Sequence, residues 1–179
     1  MFLINHSLYS QDEDDVWVAG IGINAVNIRT PKGVSGIIKA AFENLNMSGG
    51  AIRVFAGRYI KSGISVQLSA SANTIKKGSR YSTGDPLIND SFLAIDSKVK
   101  YDINRLIGET SWFDPFVLTG FGYSKIGDSN NFNIAVGWGF NLWFSRSVGI
   151  NFQLDYNHNP QSNATDYFQH NIGLVFKLN

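Results

Sequence analysis

The sequence predicts an all-β fold: an eight-stranded antiparallel up-and-down transmembrane β-barrel. Three observations predict it. Near the C-terminus Phe168, Ile172, Leu174, Phe176 and Leu178 alternate with Gln169, Asn171, Gly173 and Lys177, and a two-residue period gives a strand one apolar and one polar face. The same alternation recurs along the chain in segments long enough to cross a bilayer as tilted strands, for which about nine to eleven residues are needed. Finally, the mean hydropathy of −0.07 and the lack of an uninterrupted apolar run of about 18 residues argue against a spanning helix.

Taken in order, residues 1–15 precede the first strand. Met1–Ser10 carries Phe2, Leu3, Ile4, Leu8 and Tyr9 but no basic start, so it reads either as the end of a signal peptide or as an exposed tail. Gln11–Asp15 is a polar, acidic lead-in, and the barrel domain is expected over residues 16–179. The first strand, Val16–Asn27, places Trp17, Ala19, Ile21, Ile23 and Ala25 opposite Gly20, Gly22 and Asn24. Ile52–Ile60 and Ile64–Ile75 form a hairpin around Lys61, Ser62 and Gly63. In Ser91–Tyr101 the apolar set Leu93, Ile95, Val99 and Tyr101 stands against Ala94, Asp96, Lys98 and Lys100, giving a charged inner side. Pro115 opens the fifth strand, to Ile126, where a missing N–H is tolerated. Phe132–Phe144 shows seven apolar residues on one face, and Val148–His158 and Tyr167–Leu178 complete the eight.

The connections after strands two, four and six are expected to be tight or structured, and those after one, three, five and seven polar and mostly longer. Short turns on one side and long loops on the other is the arrangement of barrels in the outer membrane. In the first long loop, Ile37, Ile38, Ala41, Phe42 and Leu45 lie at helical spacing within Val34–Leu45, which fits a short helix over the barrel mouth. The connection from Asn104 to Phe113 has room for a helical turn.

Composition narrows the function. A net charge of +1 with no lysine- or arginine-rich run gives no electrostatic footprint for nucleic acid. The absence of cysteine excludes disulfides and thiolate metal sites. Eighteen glycines and 24 aromatics suit a narrow barrel with aromatic girdles. A lysine or arginine facing lipid at mid-membrane costs about 2–4 kcal/mol, so Arg53, Asp96, Lys98, Lys100, Asp155 and Lys177 are expected inside, as a charge network in a side-chain-filled polar lumen. Arg58 is expected at the interface near the Lys61 turn.

Trp112–Ile126, reading Trp-Phe-Asp-Pro-Phe-Val-Leu-Thr-Gly-Phe-Gly-Tyr-Ser-Lys-Ile, resembles the fifth-strand region of OmpA-like barrels of Bacteroidetes. Gly57–Tyr59 with the Gly63 hairpin, Asp96–Tyr101, Leu106–Thr110 and Gly137–Phe144 extend the resemblance over residues 16–178. Asn171, Gly173, Phe176 and Leu178 match the polar-x-Gly-x-x-apolar-x-apolar pattern of the last strand in outer-membrane barrels. That resemblance implies an assembly signal read by the barrel-assembly machinery, contact with outer-membrane lipid, and residence in the outer membrane of a Gram-negative bacterium. OmpA-like proteins often add a peptidoglycan-binding domain after the barrel, and this chain alone does not support peptidoglycan as a partner.

No catalytic, cofactor or metal site is expected. His6, His158 and His170 have no close ligand spacing. His158 with Ser162 or His170 suggests a lipid-modifying pair, but no local motif supports it. The x-Gly-x-Gly pairs at 20/22, 120/122 and 137/139 lack the strand-to-helix context of a phosphate loop and read as bulk control in a small barrel. The leading expectation is a structural outer-membrane barrel whose outer loops make contacts, with a small-solute channel and a soluble lipocalin-like ligand-binding barrel as the alternatives.

Overall fold

The computed structural model describes residues 16–28, 50–75, 90–108, 110, 112–160 and 166–178. The expected leader, the helix over Val34–Leu45, His6 and Ser162 lie outside the described residues. Eight strands are formed: β1 (Trp17–Asn27), β2 (Ile52–Lys61), β3 (Ile64–Ile75), β4 (Asp90–Asp102), β5 (Phe113–Ile126), β6 (Ser129–Trp143), β7 (Val148–His158) and β8 (Tyr167–Leu178). A one-turn helix, α1 (Asn104–Ile107), follows β4. Each strand pairs antiparallel with the next, and the sheet closes. The closing seam runs from Trp17 opposite Leu178 to Asn27 opposite Phe168. Closure leaves no edge strand whose N–H and C=O groups lack partners.

At one end the turns are short. Ser62 and Gly63 link β2 to β3 with φ of 52° and 78°, the two left-handed positions of a type I′ hairpin turn. The β6–β7 turn is closed by Phe144 N–H to Val148 O at 3.0 Å and by the Ser145 hydroxyl, which accepts from Val148 N–H at 3.1 Å. α1 is tethered beneath the barrel, with Asp102 accepting from Asn104 N–H at 2.8 Å and Arg105 donating to the Tyr59 hydroxyl at 3.1 Å.

The other end departs from expectation at one connection. The link after β5 is no long loop: Ile126 pairs with Ser129, leaving Gly127 and Asp128 as a two-residue turn. Ser129, Asn130 and Asn131 read as loop because they are polar, yet they are β6. The strands continue beyond the apolar belt, so their polarity marks distance from the belt rather than the end of pairing.

The surface polarity is inverted relative to a soluble barrel. Ile21, Val54, Leu68, Ile95, Phe121, Val136, Trp138 and Leu174 are exposed on the outside, with Ile95 66% accessible. Asn133, Gln153, Asp155 and Gln169 are fully buried inside. Arg58 is exposed with its guanidinium 5.3 Å from the centre of the Trp17 ring, at the short-turn rim where a charge reaches water. Among the described residues no helix is long and apolar enough to cross a membrane, which says nothing of strands.

Candidate functional site in the lumen

An eight-stranded barrel is narrow enough for its own side chains to fill, and in this one they are sorted by height. Under the long-loop end, Val26, Ile28, Ile75, Phe92, Ala94, Ile126 and Tyr167 form an apolar cluster, with the Phe92 and Tyr167 rings edge to face at 5.3 Å. Toward the short-turn end Val18, Phe55, Trp143 and Val175 form a second. The side-chain-filled lumen thus has a polar middle between two apolar clusters.

Four of the six charges expected inside meet in that middle. The Lys98 ammonium lies 2.8 Å from Asp155 and 3.2 Å from Asp96. Arg53 donates across the barrel to Gln153 at 3.0 Å and Asn151 at 3.3 Å. Gln153 in turn donates to Asp155 at 2.9 Å, Asn171 does so at 3.3 Å, and the Ser69 hydroxyl donates to Asp96 at 3.2 Å. Two cations and two carboxylates cancel, and buried charges persist only when paired and hydrogen-bonded. From Asn151 the bonds continue through Asn141 to Asp114, at 2.8 and 3.0 Å.

Lys100 and Lys177 lie apart from this cluster, nearer the short-turn end. The Lys100 ammonium sits 3.6 Å from the centre of the Phe116 ring, and that of Lys177 lies 5.0 Å from the Trp143 ring. Arg53 joins the same pattern at its lower side, 4.6 Å over Phe55. Inward rings therefore support charges electrostatically as well as filling space. These rings were missed by alternation alone, because an apolar residue of inward parity does not disturb the outward pattern.

The paired glycines gain a specific role from the register. Arg53 stands opposite Gly22, Asp96 opposite Gly122, Lys98 opposite Gly120, Gln153 opposite Gly139 and Asp155 opposite Gly137. A Cβ at Gly137 would lie 2.8 Å from the Asp155 carboxylate, and one at Gly120 would lie 2.7 Å from the Lys98 Cα. Each glycine clears the floor under a long polar neighbour. In the terminal motif Asn171 and Gly173 face inward, while Phe176 and Leu178 face out toward the short-turn end.

His158 is held by Asp166. Its Nδ1 lies 3.1 Å from Asp166, which also accepts from the Tyr156 hydroxyl at 2.7 Å and from Asn159 N–H at 2.9 Å. Asp166 thus ties the β7 end to the β8 start. Among the described residues no three His, Asp or Glu gather as a metal site.

No family model and no curated protein matches this sequence. Solved structures do. The chain is similar to the outer membrane protein OprG of Pseudomonas aeruginosa, with 12% identity, a TM-score of 0.60 and coverage of 90% of this chain and 95% of that one. Similarity to Outer Membrane Protein W of E. coli is 13% identity with a TM-score of 0.56, covering 91% and 97%. The N-terminal barrel domain of P. aeruginosa OprF matches at 10% identity and a TM-score of 0.53, covering 90% and 97%. Strand number, closure, register and these likenesses give the chain the fold of the OmpA-type eight-stranded outer-membrane barrels.

Proposed function

We propose that this chain is an integral barrel of a Gram-negative outer membrane with a structural role, its short turns in the periplasm and its long loops presented outside. The observation that carries the reading is the inverted polarity: large aliphatic and aromatic side chains are exposed around the wall, while a neutral, hydrogen-bonded set of charges is buried inside. At about 25 cal/mol per Å², such a wall is unfavourable in water and favourable against acyl chains. The terminal residues Asn171, Gly173, Phe176 and Leu178 serve as the signal for the assembly machinery, and the membrane partner is outer-membrane lipid.

The two apolar clusters argue against the channel alternative, since a conducting path needs a continuous polar passage. No arrangement of base and nucleophile among the described residues favours an enzyme. Refolding tests the membrane reading. In detergent the chain is expected to migrate faster unboiled than boiled on a gel and to require detergent to stay monodisperse; a folded, monodisperse sample without detergent contradicts the proposal.

A further inference from the structure

We propose that the short-turn mouth of the barrel is a binding site for a small amino-acid-like zwitterion, whose carboxylate is held by Lys100, Ser65 and Tyr59 and whose ammonium is held by Asp102 and Asp114. A small vestibule open to solvent is lined by these five residues, Gly63 and Phe116. Tyr59 pairs with Ser65 across β2 and β3, and Ser65 with Lys100 across β3 and β4. Three inward side chains therefore form one row at one height.

Each member of the row is a donor lacking an acceptor. Lys100 is buried, 8% accessible, and its ammonium meets only the face of the Phe116 ring. The Tyr59 oxygen already accepts from Gly63 N–H at 3.2 Å and from Arg105 at 3.1 Å, which leaves its own proton to donate. No described residue accepts from the Ser65 hydroxyl. These donors open onto the vestibule, and a carboxylate of the ligand would accept from all three through charge-assisted hydrogen bonds.

The other side of the vestibule has the opposite chemistry. Asp102 and Asp114 both line this side. Asp114 is anchored by Asn141 and Asp102 by Asn104 N–H. The two carboxylates face Lys100 in the vestibule and Arg105 at its rim beside Gly63, so two negative charges stand against two positive ones. A neutral ligand with separated charges matches this polarity, whereas a simple cation or anion opposes one wall.

The test is titration of the full chain, refolded in detergent micelles, with glycine, acetate or methylammonium, read by amide chemical shifts. Glycine is expected to bind saturably in the millimolar range, with shifts confined to the β2–β3 turn and the β4–β5 connection. Acetate and methylammonium should each bind roughly tenfold more weakly, and Lys100→Met should weaken glycine by roughly tenfold or more. Ser65→Ala, a small change beside the hairpin, should weaken it severalfold, and it decides the matter where Lys100→Met does not refold. Absence of saturable binding, equal binding of acetate and glycine, or full affinity in the refolded variants overturns the proposal. The result does not depend on which side of a membrane this mouth faces, so it stands or falls separately from the membrane reading.

Discussion

Lys98→Met is expected to cost the barrel about 3–5 kcal/mol, the range for removing one partner of a buried ion pair. Lys98 is the only described cation in direct contact with Asp155 and Asp96, and without it two buried carboxylates depend on neutral amides and one hydroxyl. Arg53 reaches Asp155 only through Gln153 and does not replace the ammonium. The double variant Lys98→Met/Asp155→Leu should recover much of the loss, because Arg53 and Asp96 then leave the centre neutral. Urea titration of refolding in lipid vesicles measures both. A single-variant loss below about 1 kcal/mol, the level of an exposed pair, contradicts the assignment of this cluster as the buried electrostatic centre.

Gly173→Val and Gly22→Val are each expected to prevent barrel closure. The two glycines face each other across the β1–β8 seam, and a Cβ at Gly173 would lie 2.6 Å from the Gly22 Cα as well as against the Ile21 carbonyl oxygen. These are backbone atoms, so no rotamer change relieves the contact. The cost exceeds the ~1–3 kcal/mol typical of added methylenes in a packed core. Heat-modifiable migration should be lost in both variants and kept in Ala19→Val, which lies on the same seam but faces outward. A seam that closes with valine at either position would mean that β1 and β8 are farther apart than the register requires.

How legible the fold was follows from where period two holds. Ile64–Ile75, Val148–His158 and Tyr167–Leu178 were read to the residue, because each alternates along its full length. The Gly127–Asp128 turn was hidden by the polar strand residues after it, since hydropathy reports immersion and not pairing. The inward direction of Arg53, Asp96, Lys98 and Asp155 followed from parity together with the cost of a charge facing lipid. Which of them touch did not: Arg53 and Gln153 are 100 positions apart, and their meeting depends on strand stagger around the closed wall. The apolar clusters left a weaker trace, the loss of alternation at strand ends, as in Ala25-Val26 on β1.

The outward face decides the account most directly. The chain has no cysteine, so single cysteines at Ile95, Val136 and Ile172 report their surroundings without background. After refolding into lipid vesicles, all three are expected to resist a membrane-impermeant maleimide and to react once the chain is unfolded, while a cysteine at Arg146 in the β6–β7 turn reacts when the reagent has access to that side. Labelling of the three belt positions in the folded barrel as rapidly as Arg146→Cys would contradict the claim that this wall is solvated by lipid.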